Sequence, residues 1–154
     1  MAFPGINKML LAVGLTAAAT PALAQTVPYD SAYAASLGAD EFGMRPYVMA
    51  FLKKGPNRPA DPKQRAELQR GHMANIARLA EAGTLIVAGP FLDTGELRGI
   101  YIFKVKTIEE ARQLTETDPA IQAGSLVMEL KPWYGSAALL ETNRIHNRIA
   151  RKQP

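Results

Sequence analysis

Residues 61–105 read DPKQRAELQRGHMANIARLAEAGTLIVAGPFLDTGELRGIYIFKV and decide the predicted fold. Asp61-Pro62 places a capping carboxylate before a proline at the first helical position, and Gly83 supplies the residue that commonly ends a helix. Between them the sequence predicts one helix of about 21 residues. Two segments rich in β-branched and aromatic residues follow, Thr84–Gly89 and Leu97–Val105, and predict two strands joined by a turn-rich loop.

Helices and strands alternate on both sides of this stretch. Tyr47–Leu52 (YVMAFL) predicts a short buried strand, and Ser125–Lys131 (SLVMELK) predicts a fourth strand. Thr107 and Glu110 form a capping-box pattern that opens a shorter helix, which we expect to end near Thr117. The order is therefore β-α-β-β-α-β. It predicts an α+β fold of the ferredoxin-like plan, an antiparallel sheet with both helices on one face.

Both faces of the predicted sheet are apolar. In the first strand Val48, Ala50 and Leu52 alternate with Tyr47, Met49 and Phe51. An antiparallel sheet with one face in water should carry polar residues on that face. Because the two helices cover one face only, either the sheet of a second subunit or the C-terminal helix must cover the other. We favour a homodimer in which sheet packs on sheet.

The first 24 residues predict a secretory signal peptide. Lys8 precedes a short apolar run, and Ala22 and Ala24 provide an A-x-A cleavage site, so we expect cleavage after Ala24. The alternative is an N-terminal anchor that stays uncleaved. The apolar run is shorter than the roughly 20 residues that a membrane-spanning helix needs. This pattern predicts a periplasmic or secreted protein.

The remaining chain divides into three predicted parts. Residues 25–44 form an N-terminal extension that packs on the body, and residues 45–135 form the β-α-β-β-α-β body. Residues 136–154 contain a basic helix that we expect from Ala137 to Lys152, with apolar residues at helical spacing and arginines between them.

Positive charge lies mostly outside the predicted body. The 154 residues include 18 Lys and Arg against 14 Asp and Glu, and the pI is near 9.5. Residues 25–140 are electrically balanced, with 13 basic and 13 acidic residues, whereas basic residues dominate 141–154. A high pI suggests nucleic-acid binding only when the charge forms a patch on the folded domain. We therefore expect no nucleic-acid partner.

The composition also limits the chemistry. The chain has no cysteine, and this excludes disulfide scaffolds, thiol nucleophiles, iron–sulfur clusters and Cys-based zinc sites. It has two histidines, which leave little room for other metal sites. It carries no P-loop, dinucleotide fingerprint or acidic cluster. We expect neither a metal nor an organic cofactor. Ser125 lies in no nucleophile motif, and His146 lies on the basic helix, where a solvated surface residue is expected.

His72 is the most informative residue. On a helical wheel it falls between Leu68, Ile76 and Leu79, in the stripe that should face the sheet. It is either a neutral core histidine bonded to a backbone carbonyl or a general acid or base in a pocket.

Two carboxylates could orient the ring of His72. Asp118 follows the second predicted helix, where it is either a turn and capping residue or the partner of the imidazole. Asp93 is the second candidate, with a turn residue as its alternative. The pocket beside His72 is expected to be lined by Gly89, Pro90, Phe91 and Asp93.

Three blocks carry a resemblance to a known family. They are Arg70-Gly71-His72 with the helix and strand that follow to Gly89-Pro90, Thr117-Asp118-Pro119 running on to Gly124, and Met128 to Trp133. In this order they resemble the YciI-like (YCII-related) family over roughly residues 45–135. The resemblance implies a dimeric α+β barrel, similar in plan to muconolactone isomerase, and it implies an active site at His72 and Asp118.

The resemblance also implies a range of chemistry, since dehydrochlorinase or lyase-type activity is known for a relative. The family often has an aromatic residue after Asp-Pro, where this chain has Ala120, so we expect a wider pocket. The secretory leader and the two terminal extensions depart from the short, cytoplasmic family pattern.

Two functions are compatible with these observations. The first is a cofactor-independent lyase, dehydrochlorinase or isomerase, in which His72 acts as general base or acid on a small molecule and Asp118 orients it. The second is a non-catalytic periplasmic ligand-binding or stress module that uses the same dimer cavity.

Overall fold

The structure is a computed structural model that describes residues 27–152. The predicted signal peptide and its cleavage site lie outside these residues. The helices are α1 (Ser31–Ser36), α2 (Pro62–Glu81), α3 (Ile108–Thr115), α4 (Pro119–Gln122) and α5 (Thr142–Ile149). The strands are β1 (Met44–Lys54), β2 (Leu85–Pro90), β3 (Leu97–Phe103) and β4 (Leu126–Ser136), and a 3-10 helix (Ala137–Glu141) precedes α5.

The four strands form one antiparallel sheet in the order β2-β3-β1-β4. This order, with α2 and α3 between the strands, is the predicted ferredoxin-like α+β plan, and the prediction is confirmed. Leu79 of α2 and Ala111 of α3 belong to the same buried cluster as Val48, Leu52 and Phe103 of the sheet. Both helices therefore pack on one face.

The helix ends form as their capping residues predict. The side chain of Asp61 accepts a hydrogen bond from the Lys63 N–H at 3.1 Å, and Pro62 opens α2. After the end of α2, Gly83 adopts a positive φ of 70°. At α3 both bonds of the capping box between Thr107 and Glu110 are present.

The first and last strands of the chain, β1 and β4, are longer than predicted because of their place in the sheet. β1 begins at Met44 and runs through Pro46, and β4 runs through Pro132 to Ser136. Proline cannot donate a backbone hydrogen bond, so it fits a strand only where one side has no neighbour. β4 lies at the edge of the sheet, and residues 44–47 pair with β4 alone.

The C-terminal segment covers part of the second face of the sheet, which is the face turned away from α2 and α3. Tyr47 and Ile102 point away from the helices yet are 1% and 5% exposed. The 3-10 helix contacts β1 and β2, and because β3 lies between these strands, the segment crosses the second face. The side chain of Asn143 then donates to the carbonyl oxygens of Ala80 and Leu85, which fixes α5 beside the edge strand β2.

This path differs from the single helix predicted over residues 137–152. The N–H of Ala137 donates to the carbonyl oxygen of Gly43, and Ala137 is buried. The chain therefore follows the sheet in a tight 3-10 turn before α5 begins, and α5 ends at Ile149.

Other apolar residues of the second face are only partly covered. Met49, Phe51 and Ile100 are half-buried. The N-terminal extension is attached nearby, since the Arg45 guanidinium donates to the carbonyl oxygen of Leu37 at 2.8 Å and lies over the ring of Tyr47. Within residues 27–152, no helix has both the length and the apolar character to cross a bilayer.

Candidate active site

His72 and Asp118 form a direct hydrogen bond. Nδ1 of His72 lies 2.7 Å from Oδ2 of Asp118, although the two residues are 46 positions apart in the chain. The Asp118 side chain is completely buried, and that of His72 is 12% exposed. An ionised carboxylate can only accept, so Nδ1 carries the hydrogen, and Nε2 of the neutral ring keeps a free electron pair.

Asp118 holds its position through its second oxygen. Oδ1 accepts the Ala120 N–H at 2.9 Å and thereby caps α4. The two interpretations of Asp118, as a helix cap and as the partner of the imidazole, are therefore compatible. The cap fixes the carboxylate, and the fixed carboxylate can orient the ring.

A glycine in α2 allows the close approach of the two elements. An ideal Cβ at Gly71 would lie 3.0 Å from Cγ and 3.2 Å from Cβ of Pro119. Gly71 precedes His72, and Pro119 follows Asp118. The missing side chain at residue 71 thus brings α4 against α2 at the point where the His72–Asp118 hydrogen bond forms.

A second set of hydrogen bonds joins α2, one turn further along, to the segment between α3 and α4. Arg78 donates to Oδ1 of Asn75 at 2.6 Å and to Oγ1 of Thr117 at 2.8 Å. Thr117 precedes Asp118, so this network holds the backbone before the carboxylate as the Gly71 contact holds the backbone after it.

Tyr101 completes the group around the imidazole. Its hydroxyl lies 3.4 Å from Nε2 of His72, and the two rings stack with centroids 6.2 Å apart. Burial, and next the negative charge of Asp118, raise the pKa of Tyr101 far above its ordinary value. The phenol therefore stays protonated at physiological pH and acts as a hydrogen-bond donor.

Sequence reasoning missed Tyr101 and treated it only as an apolar strand position. The available signal was the strand alternation, which places Tyr101 and Phe103 together on the face of β3 that packs against α2. A phenol on that face, across from a histidine, has a polar group that needs a partner.

His72 and Tyr101 lie in the wall of a cavity of about 600 Å³. This volume is in the range of small-molecule sites. The apolar part of the wall includes Leu52, Leu68, Met73, Ile76, Ala120 and Leu126. Ala120, the residue after Asp118-Pro119, contributes only a methyl group where a larger side chain would reduce the space.

The other predicted pocket residues divide into two pairs. Gly89 and Pro90 line the cavity. Phe91 is 41% exposed and lies outside the lining, as does Asp93, whose Oδ1 accepts the Gly95 N–H at 3.1 Å in a turn. Asp93 thus adopts its alternative interpretation as a turn residue.

Ser125 and His146 lie in different surroundings. Ser125 lines the cavity, whereas His146 is exposed on α5. Within the described part of the chain, no three His, Cys, Asp or Glu side chains come close enough together to hold a metal ion.

Comparisons with known proteins identify the family of the chain. The chain matches the model of the YCII-related domain over residues 47–134 and belongs to this family, as the sequence blocks predict. The uncharacterized protein YjpA of Bacillus subtilis (strain 168) is 34% identical over 64 residues, which cover 41% of this chain and 72% of YjpA.

One solved structure is similar at lower identity. It is 5-chloro-2-hydroxyhydroquinone dehydrochlorinase (TftG) from Burkholderia phenoliruptrix AC1100, in complex with 2,5-dihydroxybenzoquinone. It is 21% identical, the match covers 56% of this chain and 92% of that chain, and the TM-score is 0.43.

Enlarging Gly71 should disturb the contact between α2 and α4. We expect Gly71→Leu to lower the free energy of unfolding by about 1–3 kcal/mol, because the new side chain needs the space of Pro119. Ala74→Leu, at an exposed position of the same helix, is the matched control and should change stability little. Urea unfolding followed by circular dichroism measures both, and equal stabilities of the two variants would show that the close approach at Gly71 is unimportant.

Proposed function

We propose that this protein is a cofactor-independent enzyme in which His72 moves a proton to or from carbon on a small organic molecule. The observation that carries the proposal is the His72–Asp118 hydrogen bond at the wall of the cavity. It leaves Nε2 as the available base. Histidine is the side chain that most often serves as a general acid or base in enzymes.

The bond to Asp118 supports proton transfer in two ways. It fixes the tautomer, so that Nε2 carries the electron pair. It also places a negative charge 2.7 Å from Nδ1, which stabilises the imidazolium that forms when Nε2 takes a proton. Asp118 acts through His72 and is a positioning residue.

Tyr101 supplies the second group that the reaction needs. Removal of a proton beside a carbonyl leaves negative charge on the carbonyl oxygen as an enolate. A protonated phenol next to Nε2 can donate a hydrogen bond to that oxygen. The raised pKa of Tyr101 keeps the donor hydrogen in place while the enolate exists.

The enolate has two outcomes that lead to the proposed reaction types. Return of the proton from Nε2 to a different carbon moves a double bond, which is an isomerisation. Expulsion of a leaving group from the neighbouring carbon forms a new double bond, and the proton stays on His72 until solvent removes it. The second course is a lyase or dehydrochlorinase reaction.

The protein acts as a homodimer in this proposal. Met49, Phe51 and Ile100 give the second face of the sheet a partly exposed apolar centre. A charged group lies on the same face at its β4 side and consists of Lys53, Glu129 and Lys131. The hydrogen bonds that Lys131 and Lys53 donate to Glu129 lower the pKa of its carboxyl group to about 2. An apolar centre with a charged margin is typical of a protein interface.

The protein is also exported in this proposal. The support is the order of charged, apolar and small residues within positions 1–24, which ends at Ala22 and Ala24.

Deuterium exchange tests the proton transfer with a panel of candidate substrates. In D₂O, we expect the protein to catalyse deuterium incorporation next to the carbonyl of one or more small cyclic ketones and lactones. NMR measures the incorporation. His72→Gln should abolish it. Asp118→Asn should slow it by about 10²- to 10⁴-fold, since the tautomer is no longer fixed.

His146→Gln is the matched control, because it changes the only other histidine of the chain and that residue is exposed on α5. Exchange that is equal in the protein and in His72→Gln would exclude His72 as the base. Saturable binding of a panel member, with no exchange of any member, would favour the non-catalytic ligand-binding module.

Light scattering after size exclusion tests the dimer. We expect a dimer for the unmodified protein and a monomer for Phe51→Glu, because a carboxylate cannot be buried unpaired in an apolar interface. Phe42→Glu, at an exposed position before β1, should stay dimeric. Circular dichroism checks that each variant is folded, and a monomer in the unmodified protein would exclude this assembly.

Intact-mass spectrometry tests export. In a Gram-negative host that expresses the full chain, the periplasmic fraction should contain a protein that begins at Gln25. A protein that retains its first 24 residues in the cytoplasmic fraction would contradict the proposed export.

A further inference from the structure

The charged side chains around the cavity all have one sign. Arg58, Arg65 and Arg98 line it, and no Asp or Glu among residues 27–152 does. Within the same residues, none of the three forms an ion pair. Since residues 25–140 are electrically balanced as a whole, this local excess of positive charge is specific to the cavity.

Arg98 reaches the cavity through an irregularity in the sheet. Leu52 pairs with Gly99 and Lys53 pairs with Leu97, so Arg98 is an extra residue between two successive pairs. Strict alternation would place residue 98 on the face opposite to Tyr101, away from the helices. A β-bulge redirects a side chain in this way, and bulges are common beside active sites.

The backbone at Arg98 and at the following residue is fixed. An ideal Cβ at Gly99 would lie 2.5 Å from the carbonyl oxygen of Gly89, so this position requires glycine for β2 and β3 to pair. The carbonyl oxygen of Arg98 itself accepts the N–H of Phe91 at 2.9 Å. The bulge is therefore a constrained part of the sheet.

The other two arginines belong to the start of α2 and the segment before it. Arg65 donates to the carbonyl oxygen of Pro59 at 3.1 Å, which ties the segment that carries Arg58 to α2. Both side chains are exposed, whereas Arg98 is half-buried. Arg98 is thus the least exposed of the three arginines, and charge–charge interactions are strongest where water is excluded.

We propose that the ligand of this cavity is a small organic carboxylate whose carboxylate group binds to Arg98. A guanidinium offers two parallel donors that match the two oxygens of a carboxylate. The apolar wall, with Leu68, Met73 and Leu126, accommodates the hydrocarbon part of the ligand. Arg58 and Arg65 add a positive field that attracts the anion to the cavity.

This inference rests on the proposed function in naming the substrate class of the same site. A carboxylate on Arg98 orients the molecule, and the reacting carbon then lies toward His72 and Tyr101. Binding and proton transfer depend on different residues, so the two proposals can fail separately.

Pairs of carboxylates and their primary amides test the proposal. The probes are benzoate and benzamide, cyclohexanecarboxylate and its amide, and levulinate and its amide, with inorganic phosphate as an anion that lacks a hydrocarbon part. Titration of the ¹⁵N-labelled protein, followed at the Nε–H signal of Arg98 and the amide signals of Gly99 and Tyr101, measures binding. We expect at least one carboxylate to bind about tenfold or more tightly than its amide and than phosphate.

Arginine variants assign the effect to one residue. Arg98→Gln should remove the preference for the carboxylate, and Arg98→Lys should retain part of it, since a point charge cannot form the paired hydrogen bonds. Arg112→Gln, at an exposed position of α3 that does not line the cavity, is the matched control and should bind as the unmodified protein does.

Each outcome decides the proposal. No binding of any carboxylate, equal binding of carboxylates and amides, equal binding of phosphate, or an unchanged preference in Arg98→Gln would overturn it. His72→Gln should keep the preference for the carboxylate. That result, together with a failed exchange experiment, would leave the carboxylate site standing while the proposed proton transfer fails.

Discussion

The hydrogen bond between His72 and Asp118 connects the fold to the chemistry of this protein. It joins the helix that packs on the sheet to the short helix α4 before the last strand, and it is sheltered from water on the carboxylate side. A buried carboxylate is costly unless it is paired and hydrogen-bonded. Asp118 meets this requirement with two partners, the His72 ring and the Ala120 N–H. Its position therefore depends on both elements being in place.

Several less conspicuous residues serve this one contact. The lack of a side chain at Gly71 lets Pro119 approach α2, and Arg78 joins Asn75 to Thr117 on the other side. In the sequence, Gly71 is only a residue of low helix propensity, and Asn75, Arg78 and Thr117 have the composition of an ordinary polar surface. In the structure they hold the chain before and after Asp118, so the segment Thr117-Asp118-Pro119 is fixed against α2.

Local signals in the sequence predict the sheet and the main helices, whereas the pairing of His72 with Asp118 is implied only by the resemblance to the YCII-related family. Asp61, Gly83 and the Thr107 capping box act through neighbours within a few residues, so their outcome can be predicted without tertiary structure. Features that depend on strand order could not be predicted. The extension of β4 through Pro132 requires an edge position, and the direction of Arg98 requires a bulge opposite Lys53. Tyr101 was missed for the same reason, because its partner His72 lies on a different element.

The state of the His72 ring is the most direct test of the proposed chemistry. Long-range ¹H–¹⁵N NMR on the folded protein, at a pH where the ring is neutral, distinguishes the nitrogen that carries hydrogen from the one that does not. Free histidine in water favours hydrogen on Nε2. The Asp118 contact predicts the opposite tautomer, with hydrogen on Nδ1 and an unprotonated Nε2 facing the cavity. A ring that carries its hydrogen on Nε2 would show that Asp118 does not orient His72, and it would contradict the assignment of Nε2 as the base.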